Sequence, residues 1–586
     1  SFSIEELGEA AYKEVIEEAL DKARIMVVVG TTKENLNSKW VKYEWDSFHN
    51  EIISGRKKGG KIFTLIDNLT IKELPLALRQ NQAFPISRKN NLLKTIMRAL
   101  GANHTSISSK TGSQQGKKKT PSSRSDSTFI PEKTGSKVVK ETAEWSNHGF
   151  AGFLLREGQM LEVRGSGMTC EVISFLGGGG QGEVYKGRLD GREVAVKWYF
   201  PDYLNNDHGL RYRLEGLIRN GAPNDKFLWP MDIVTSQDDS KSFGYIMELR
   251  ENRFKSIIDL MKRRIEPKLH VLTIVGFELA FNFRELHKRG LCYRDISYGN
   301  VFFDPKNGEV RICDNDNVDL NGMEGAIIGT PRFLAPEIVR GEAQPTISTD
   351  LFSLSVLLFY ILMFNHPLEG YKESSIQFFD LSAQRQLYGF NPIFIYDPQD
   401  KSNRPDPNVN MNAIKSWPIY PRFLQDMFIK AFTEGLRNPE SRIREGEWIK
   451  AFAHLRDCLY YCSNCGEENF RDFESTRTAI CWSCKKPTKI PMSIVIEKNL
   501  IAITSDMKLY PHHIERDSEF DFIKPQARVA RHPTDPNKWG IKNLSPTVWT
   551  ATAPDGKELE IDPGRSISIV PGTKINFGNL EGEIIL

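Results

Sequence analysis

Short apolar runs alternate with longer mixed stretches at the start of the chain, and this pattern predicts strands alternating with helices. Residues 24–30 (RIMVVVG) and 61–67 (KIFTLID) are dominated by apolar side chains. Continuous apolar runs of this length are typical of strands buried on both faces of a parallel sheet. Residues 40–53, between the two runs, have the mixed pattern of a helix. We therefore predict an α/β fold for residues 1–101.

Polar residues replace this pattern over residues 102–158, where Ser, Thr, Lys and Gly prevail. Such a segment has too little apolar surface to form a core, so we predict a flexible linker. The next block, residues 159–459, is strand-rich at its start and helix-rich at its end. Its most apolar run, residues 351–364 (LFSLSVLLFYILMF), is shorter than the ~20 residues that span a bilayer, and it therefore predicts a buried core helix.

Two smaller segments complete the chain. Residues 460–490 contain a cysteine cluster, and residues 491–586 contain short apolar runs separated by Gly, Pro, Asn and Asp. This punctuation predicts an all-β sandwich. Its predicted strands include residues 493–497, 526–530, 566–570 and 574–577. The sequence thus predicts a multidomain protein.

The composition excludes several classes of protein. The 586 residues include 78 Lys+Arg and 75 Asp+Glu, a formal net charge of +3, with 40% hydrophobic and 26% charged residues. These values are typical of ordinary globular domains and not of disordered or collagen-like chains. We predict no nucleic-acid partner, no membrane partner and no secretory signal. Eight cysteines are too few for a secreted disulfide scaffold, so we predict a cytoplasmic protein.

A glycine-rich hairpin followed by a strand lysine gives the first chemical signal in the third block. The stretch LGGGGQGEVYK fits the pattern G-x-G-x-x-G-x-V at Gly177, Gly179, Gly182 and Val184. Because glycine lacks a Cβ, backbone N–H groups can approach triphosphate oxygens closely. Lys197, which ends the strand-like VAVK, is suited to pair with the α- and β-phosphates. Taken alone, the two features have plainer interpretations, a common turn and a solvated lysine.

Polar residues downstream have the spacing that phosphoryl transfer requires. Asp295 and Asn300 lie in YRDISYGN, and Asp314 follows a predicted strand. Asp295 is spaced to accept a substrate hydroxyl proton, and Asn300 and Asp314 supply oxygen ligands for Mg²⁺. Upstream, Glu215 lies in a helical segment from which it can pair with Lys197, although a single helix carboxylate is more often simply solvated.

These motifs follow one order along the block, which resembles a eukaryotic-type Ser/Thr protein kinase. The resemblance implies an α+β bilobal fold, with a small β-rich lobe and a larger helical lobe, and it implies ATP and Mg²⁺ as cofactors. It assigns the ATP lysine to Lys197, its ion-pair partner to Glu215, the catalytic base to Asp295, and the metal ligands to Asn300 and Asp314.

Further motifs extend the resemblance. It makes residues 247–249 (MEL) the gatekeeper and hinge, with Glu248 among the nucleotide contacts. Residues 335–337 (APE) close the activation segment, and Arg442 precedes the last helix.

The block departs from the kinase pattern next to the catalytic residues. Tyr293 replaces the usual His, a change that we expect to preserve packing. Ser297 replaces the lysine expected two residues after Asp295, so a positive charge near the γ-phosphate is missing and we expect a low rate. Asn315-Asp316 replace Phe-Gly, which removes a hydrophobic latch and a flexible residue. A pseudokinase scaffold that docks proteins without turnover is the alternative hypothesis.

The activation segment contains fixed acidic residues where other kinases carry phosphorylation sites. Residues 315–328 include no Ser, Thr or Tyr but do include Asp316, Asp319 and Glu324. We predict that Arg294 pairs with one of these carboxylates where other kinases need a phosphate.

Four cysteines have the spacing of a structural zinc site. They form two Cys-x-x-Cys pairs, Cys462 with Cys465 and Cys481 with Cys484, in the C-x₂-C-x₁₅₋₂₀-C-x₂-C arrangement. Four thiolates fill tetrahedral Zn²⁺ and leave no position for a reacting water. The segment resembles a zinc ribbon, and a redox-active thiol pair is the weaker alternative.

Part of the last segment resembles a forkhead-associated (FHA) domain. The resemblance covers residues 539–578, with Trp539 and Asn543 as anchors, but lacks the family's phosphothreonine-gripping motifs. Arg531 and His532 form a candidate cationic pair for a phosphoprotein. A generic protein-docking sandwich is the alternative.

Residues 1–101 resemble a Toll/interleukin-1 receptor (TIR) domain, of flavodoxin-like fold, without its amino-terminal part. The resemblance implies TIR–TIR self-association and places Glu44 where NAD-cleaving members carry a glutamate. The alternative is that Glu44 is a solvated carboxylate on the helix face of Trp40.

The combined prediction is a Ser/Thr protein kinase that transfers the ATP γ-phosphate to protein hydroxyls. Residues 106–142 of the linker, rich in Ser and Thr beside basic residues, are the predicted autophosphorylation target. Resemblance to similar domain fusions implies a bacterial stress or phage-defence signalling protein. A kinase-controlled NAD-hydrolysing effector is a further alternative.

Overall fold

The computed structural model describes residues 154–586, except 237–241, 324–327, 377–380, 473–477, 533 and 536–537. Before residue 154 it describes 25–31, 60–67, 82–85 and scattered single positions. The chain divides into two compact units, Ser1–Leu154 and Leu155–Leu586.

The first unit contains a three-stranded parallel sheet in the order β1-β2-β3. Its strands are β1 (Ile25–Gly30), β2 (Lys61–Ile66) and β3 (Gln82–Pro85). The apolar runs predicted β1 and β2, and both strands are confirmed; burial on both faces is wrong for β1, which exposes Val27 and Val29. Val28 and Ile62 pack with Phe48 into one core, as expected when helices cover a parallel sheet.

Several predictions for this part of the chain lie outside the described residues. They concern Glu44 with its helix neighbour Trp40, and the linker target at residues 106–142.

Six antiparallel strands close into a barrel at the start of the second unit. The strands are β4 (Met160–Val163), β5 (Thr169–Gly178), β6 (Gly182–Leu189), β7 (Arg192–Tyr199), β8 (Asp232–Thr235) and β9 (Phe243–Glu248). Two helices, α1 (Pro201–Asn206) and α2 (Leu210–Asn220), lie between β7 and β8. Strand β7 pairs with β6 on one side and β9 on the other.

A helical lobe follows the barrel. Its helices are α3 (Ile257–Met261), α4 (Leu269–His287), α5 (Pro336–Arg340), α6 (Ile347–Met363), α7 (Tyr371–Ser374), α8 (Leu381–Arg385), α9 (Met411–Ser416), α10 (Arg422–Arg437) and α11 (Glu445–Asp457). Short strands between them are β10 (Lys255–Ser256), β11 (Leu291–Cys292), β12 (Val301–Phe303), β13 (Val310–Ile312) and β14 (Asp319–Leu320).

Helix α6 forms the centre of this lobe and confirms the predicted core helix. Every residue from Leu351 to Met363 is buried. Its Phe359 ring packs edge-on against Phe394, Phe428 and Phe432. Among the described residues, none of the helices combines the length and apolar character that crossing a bilayer requires.

Two hairpins and two antiparallel sheets complete the chain. The hairpins pair β15 (Leu459–Tyr461) with β16 (Glu468–Phe470), and β17 (Thr478–Ile480) with β18 (Pro487–Lys489). The six-stranded sheet contains β19 (Ser493–Ile496), β20 (Asn499–Ala502), β24 (Trp549–Thr552), β25 (Glu558–Ile561), β27 (Lys574–Asn576) and β28 (Glu581–Ile585). The four-stranded sheet contains β21 (Lys508–Leu509), β22 (Ala527–Arg531), β23 (Trp539–Asn543) and β26 (Ser566–Ser568), with helix α12 (Pro511–Ile514) after β21.

The two sheets share one core, to which both contribute isoleucines and in which Trp549 is fully buried. This arrangement is a β-sandwich. Asn543 is part of its interior because its amide donates to the carbonyls of Thr547 and Ile561, at 2.8 and 2.9 Å.

The hairpins and the sandwich both pack on the helical lobe. Lys268 lies 2.8 Å from the carboxylate of Glu467, and the rings of Tyr420 and Phe470 stack with centroids 5.5 Å apart. At the next junction Arg471 donates to the Ser493 hydroxyl at 2.7 Å. The cysteine-bearing hairpins therefore form a joint between the helical lobe and the sandwich.

Candidate active site

The glycine-rich turn joins β5 to β6 at the edge of the barrel. A Cβ on Gly182 would lie 2.1 Å from the carbonyl oxygen of Trp198, so only glycine fits there. A Cβ on Gly177 or Gly179 would meet nothing within 4 Å, which leaves open space beside the turn. Val184 pairs directly with Lys197 across the two strands. The register therefore places the turn beside the lysine.

Lys197 is buried in the middle of β7 and its amino group contacts two carboxylates. Its Nζ lies 2.8 Å from Asp316 and 3.3 Å from Asp314. Gln181 of the glycine-rich turn accepts a third bond from it at 2.6 Å. Burial alone lowers the pKa of this lysine, but the carboxylates of Asp314 and Asp316 outweigh burial and raise it, so the lysine stays charged.

The predicted ion pair between Lys197 and Glu215 is wrong. Glu215 is exposed on helix α2 and pairs with Arg211 of the same helix at 3.2 Å. The helix turns Leu214 and Leu217 into the core, and Glu215 follows Leu214 by about 100° of helical rotation, which places it away from the lysine.

The two residues that replace Phe-Gly lie in a 3₁₀ turn, Asn315–Asn317. Asn315 is fully buried, and its amide donates to the carbonyls of Leu228 and Ile312, both at 2.9 Å. Hydrogen bonds to both lobes thus stand where the kinase pattern has a hydrophobic latch. Asp314 precedes the turn with φ of 50°, a left-handed conformation that is sparsely populated by non-glycine residues.

Asp295 lies between β11 and β12 with both carboxylate oxygens engaged. The Thr330 hydroxyl donates to one oxygen at 2.6 Å, and the Asn300 amide donates to the other at 2.9 Å. Burial raises the pKa of Asp295, although these two donors oppose the shift. A carboxylate held in place with a raised pKa is suited to general-base chemistry.

The backbone that carries Asp295 is held by a buried carboxylate from helix α6. Asp350 accepts the N–H groups of Tyr293 at 2.6 Å and Arg294 at 3.0 Å. Arg294 has φ of 71°, and these bonds keep that strained conformation in place. The Tyr293 ring is fully buried, and its hydroxyl donates to the carbonyl of Cys313.

The two oxygen ligands predicted for Mg²⁺ lie side by side. The N–H of Cys313, the residue before Asp314, donates to the carbonyl of Asn300 at 2.9 Å. Asp314 keeps 41% of its side chain exposed, so a carboxylate oxygen faces the cleft. The Asn300 and Asp314 oxygens are of the hard type that Mg²⁺ prefers, and the residues present fit this ion.

Arg294 pairs with a fixed carboxylate, as predicted from the activation segment. Its guanidinium lies 3.2 Å from Asp319 and is almost fully buried. Arg213 of helix α2 reaches the same carboxylate at 3.7 Å and also pairs with Asp207. Asp319 thus links the catalytic loop to helix α2.

The remaining motif residues lie at the edges of the cleft. Met247 is buried near the end of β9, and Glu248, the last residue of that strand, is exposed. Farther away, Glu337 accepts two bonds from Arg442, each at 2.7 Å. This buried pair fixes the end of the activation segment on the helical lobe.

The four cysteines converge at the turns of the two hairpins. All four sulfurs lie within 4.8 Å of one another, and the Cys462–Cys484 and Cys465–Cys481 sulfurs are each 3.8 Å apart. Zn–S bonds of about 2.3 Å place the sulfurs of a tetrahedral site about 3.8 Å apart, so these residues fit zinc. Cys458, at the end of helix α11, is not part of this group.

The candidate cationic pair of the sandwich is exposed at the end of β22. The Arg531 guanidinium lies over the Trp539 ring at 4.7 Å, and His532 contacts the Thr534 hydroxyl at 3.2 Å. Among the described residues, Arg531 and His532 thus contact different neighbours and not each other.

Comparison with known proteins gives a family likeness for most of the barrel and much of the helical lobe. Residues 170–416 match the protein kinase domain family. The kinase domain has the bilobal fold, with the barrel as its small lobe and the helices as its large lobe. The candidate residues described above therefore lie in the cleft between the two lobes.

Individual relatives are also protein kinases. The chain is 30% identical over 224 residues to human protein kinase C delta type, covering 35% of this chain and 32% of that one. It is 30% identical over 223 residues to a probable serine/threonine-protein kinase of Streptomyces coelicolor, covering 36% and 32%. It is 28% identical over 213 residues to the serine/threonine-protein kinase pkn2 of Myxococcus xanthus, covering 34% and 25%. The chain thus spans a third or less of these relatives' lengths.

Sequence reasoning missed several residues of this site. Gln181 bridges Lys197 and Asn317, with the latter contact at 2.7 Å. Thr330 donates to Asp295, and its position just before the APE motif was the sequence signal that could have identified it. The contacts of Asp316 had no local signal, because the lysine lies 119 residues away along the chain.

Proposed function

We propose that this chain is a Ser/Thr protein kinase that transfers the ATP γ-phosphate to protein hydroxyls. The observation that carries the proposal is the Asp295 carboxylate, held by Thr330 and Asn300 in the cleft of a kinase domain. A positioned, partly desolvated carboxylate is what a substrate hydroxyl needs as it attacks phosphorus.

Each cleft residue has a defined task in this reaction. Asp295 accepts the proton of the attacking hydroxyl. Lys197 holds the α- and β-phosphates, and the glycine-rich turn at Gly177 and Gly179 covers them. Asn300 and Asp314 hold Mg²⁺, which when bound neutralises charge on the phosphates.

Ser297 distinguishes this site from faster kinases. It is buried where the kinase pattern carries a lysine, so no cation from that position meets the γ-phosphate. Since charge stabilisation in the transition state is a large part of phosphoryl transfer, we expect a modest kcat. The pseudokinase scaffold is the extreme form of this loss and predicts nucleotide binding without turnover.

Magnesium-dependent ATP consumption tests the proposal. Wild type should convert ATP to ADP in the presence of Mg²⁺, and Asp314→Ala should lower this rate at least about 100-fold because Mg²⁺ loses a protein ligand. The rate is measured by a coupled ADP assay with and without EDTA. An equal rate in both proteins would contradict the proposal.

The Arg294–Asp319 pair predicts activity without activation-segment phosphorylation. Phosphatase treatment should leave the rate unchanged. Asp319→Asn should lower kcat by about tenfold. This loss equals about 1.4 kcal/mol, less than the roughly 3–5 kcal/mol of stability that breaking a buried pair costs. Asp207→Asn is the matched control, since it removes a carboxylate from Arg213 without touching Arg294. A large loss after phosphatase treatment would contradict this prediction, with Thr330 as the suspected site.

The other segments have proposed roles around the kinase. We propose a structural Zn²⁺ in a zinc ribbon at residues 460–490, an FHA-like tail that binds a phosphoprotein or another partner, and a TIR-like head that self-associates. Residues 106–142 are the proposed autophosphorylation target. The relatives from Streptomyces and Myxococcus support a bacterial setting, and the eight cysteines, all described and none in a disulfide, support a cytoplasmic one.

A further inference from the structure

The carboxylate that holds Lys197 comes from an unusual part of the chain. Asp316 is the second residue of the 3₁₀ turn Asn315–Asn317, where the kinase pattern has glycine. Its side chain is 1% exposed, and both oxygens accept from the lysine, at 2.8 and 2.9 Å. An Nζ bonded to both carboxylate oxygens has its position set by that carboxylate.

Two tyrosines hold Asp316 in this position. The hydroxyl of Tyr199 donates to it at 2.7 Å and that of Tyr245 donates at 3.1 Å, and both rings are fully buried. Tyr199 lies two residues after Lys197 on β7, so both side chains project from the same face of the strand. Tyr245 is the residue opposite Lys197 on β9. One face of the barrel thus presents three donors to a single carboxylate.

These donors also explain why a buried carboxylate is stable here. A desolvated charge without partners is strongly unfavourable, whereas one that accepts several hydrogen bonds beside a cation is not. The arrangement needs all three donor residues and the carboxylate together, and the described structure contains all four.

The turn itself is anchored on both sides. Asn315 donates to Leu228, just before the barrel strand β8, and to Ile312 of β13 in the helical lobe. Asn317 accepts from Gln181 of the glycine-rich turn. Four consecutive residues, Asp314 and the turn that follows it, therefore supply the proposed metal ligand, the carboxylate that holds the lysine, and a contact to the glycine-rich turn.

Among the described residues, helix α2 makes no direct polar contact with the lysine. Glu215 pairs with Arg211, and the only charged contacts that join α2 to the catalytic loop region among the described residues run through Arg213. The helix packs Leu210 and Leu214 into the same core as Tyr199 and Tyr245, so its link to Asp316 is apolar and indirect.

We propose that Asp316 is the positioning residue for Lys197 and replaces the helix glutamate in that task. The inference rests on the proposed kinase function. It makes the ATP lysine and the metal aspartate parts of one unit, in which the direct polar partner of the lysine comes from the turn and not from helix α2.

The test compares Asp316→Asn with Glu215→Gln in the full chain. Asp316→Asn is nearly isosteric and should lower kcat by roughly 10- to 100-fold, the range expected when a catalytic group is misplaced by about 1 Å, with a smaller rise in KM for ATP. Glu215→Gln should stay within about twofold of wild type, because its carboxylate is solvated. A loss in Glu215→Gln equal to that in Asp316→Asn would overturn the proposal.

A double-mutant comparison separates positioning from a merely structural role. Binding of MgATP is measured by calorimetry for wild type, Asp316→Asn, Lys197→Ala and the double variant. Asp316→Asn should weaken MgATP binding roughly fivefold when Lys197 is intact. It should have no further effect in the Lys197→Ala protein, because Asp316 acts through the lysine. The same weakening in both backgrounds, or none in either, would overturn the proposal.

These measurements also separate this inference from the kinase proposal. If wild type transfers phosphate and Asp316→Asn is unimpaired, the kinase function stands and the positioning role fails. If wild type binds MgATP without transferring phosphate, the kinase function fails and the binding comparison still decides the positioning role. If Asp316→Asn does not fold, Glu215→Gln decides it, since a tenfold loss there would assign the lysine to helix α2.

Discussion

Asp295→Asn is expected to lower phosphate transfer by about 10³-fold while MgATP binds as in wild type. A positioned general base contributes 10²- to 10⁴-fold, and an amide cannot accept the hydroxyl proton. Asparagine keeps the size of the side chain and can still accept the Thr330 hydroxyl bond seen at 2.6 Å. The rate is measured as initial transfer of labelled phosphate, and binding is measured by calorimetry.

Asp304→Asn is the matched control for this variant. Asp304 is another buried aspartate, nine residues further along, but it pairs with Arg253 at 2.9 Å and lies outside the cleft. It should retain most of the transfer rate. Transfer by Asp295→Asn at more than a tenth of the wild-type rate would contradict the role of Asp295.

Loss of the cysteine site is expected to have the largest effect on stability. Structural zinc contributes about 10–16 kcal/mol to folding in small zinc domains, more than the net stability of most domains. Cys481→Ser should therefore abolish zinc binding and unfold the two hairpins, because Cys481 is fully buried between its partners. Zinc content by mass spectrometry and the thermal unfolding temperature are the measurements.

Cys458→Ser provides the control for the cysteine site. Cys458 is also buried and close in sequence, but its sulfur contacts the carbonyl of Leu500 at 3.6 Å. Wild type and Cys458→Ser should each hold one zinc per chain. Zinc retained by Cys481→Ser, or lost from Cys458→Ser, would contradict the assignment of the ligands.

Unfolding of the hairpins should also weaken the attachment of the sandwich to the helical lobe, which then depends on direct contacts such as His513–Asp457 at 3.1 Å. The joint consists of contacts such as Lys268–Glu467 and Arg471–Ser493, and they depend on the hairpins keeping their shape. Limited proteolysis of Cys481→Ser is therefore expected to cleave the chain within residues 460–490 faster than in wild type.

The elements that the sequence predicted well are those fixed by local patterns. Strands β1 and β2 and helix α6 follow from continuous apolar runs, although β1 leaves Val27 and Val29 exposed and is buried on one face only. The strands of the sandwich were located within two residues because Gly, Pro, Asn and Asp separate the short apolar runs. Ser493–Ile496 and Lys574–Asn576 are examples. The kinase motifs occur at fixed spacing, and this spacing located the catalytic loop.

The lysine partner was missed because it depends on tertiary structure. The pairing of Lys197 with Glu215 was carried over from the family pattern, but the register of helix α2 turns Glu215 to solvent. The replacement of Phe-Gly by Asn315-Asp316 was visible in the sequence as a loss. The new role of Asp316 depends on hydrogen bonds from Tyr199 and Tyr245, and local sequence patterns cannot connect these tyrosines to Asp316.

The fixed carboxylate of the activation segment was predictable in kind but not in position. The absence of Ser, Thr and Tyr from residues 315–328 indicated that an acidic residue partners Arg294. The choice of Asp319 over Asp316 follows from the pairing of β14 with β11, which brings Asp319 opposite Cys292, two residues before Arg294. That register is a property of the folded chain.

The most direct test of the central claim is transfer of labelled γ-phosphate from Mg-ATP by the folded, zinc-loaded full chain. Wild type and Asp295→Asn are assayed on the protein itself and on a generic basic protein, and the labelled residues are identified by phosphoamino-acid analysis. The account predicts phosphoserine or phosphothreonine with wild type and none with Asp295→Asn. No transfer by wild type, or equal transfer by both proteins, would contradict it.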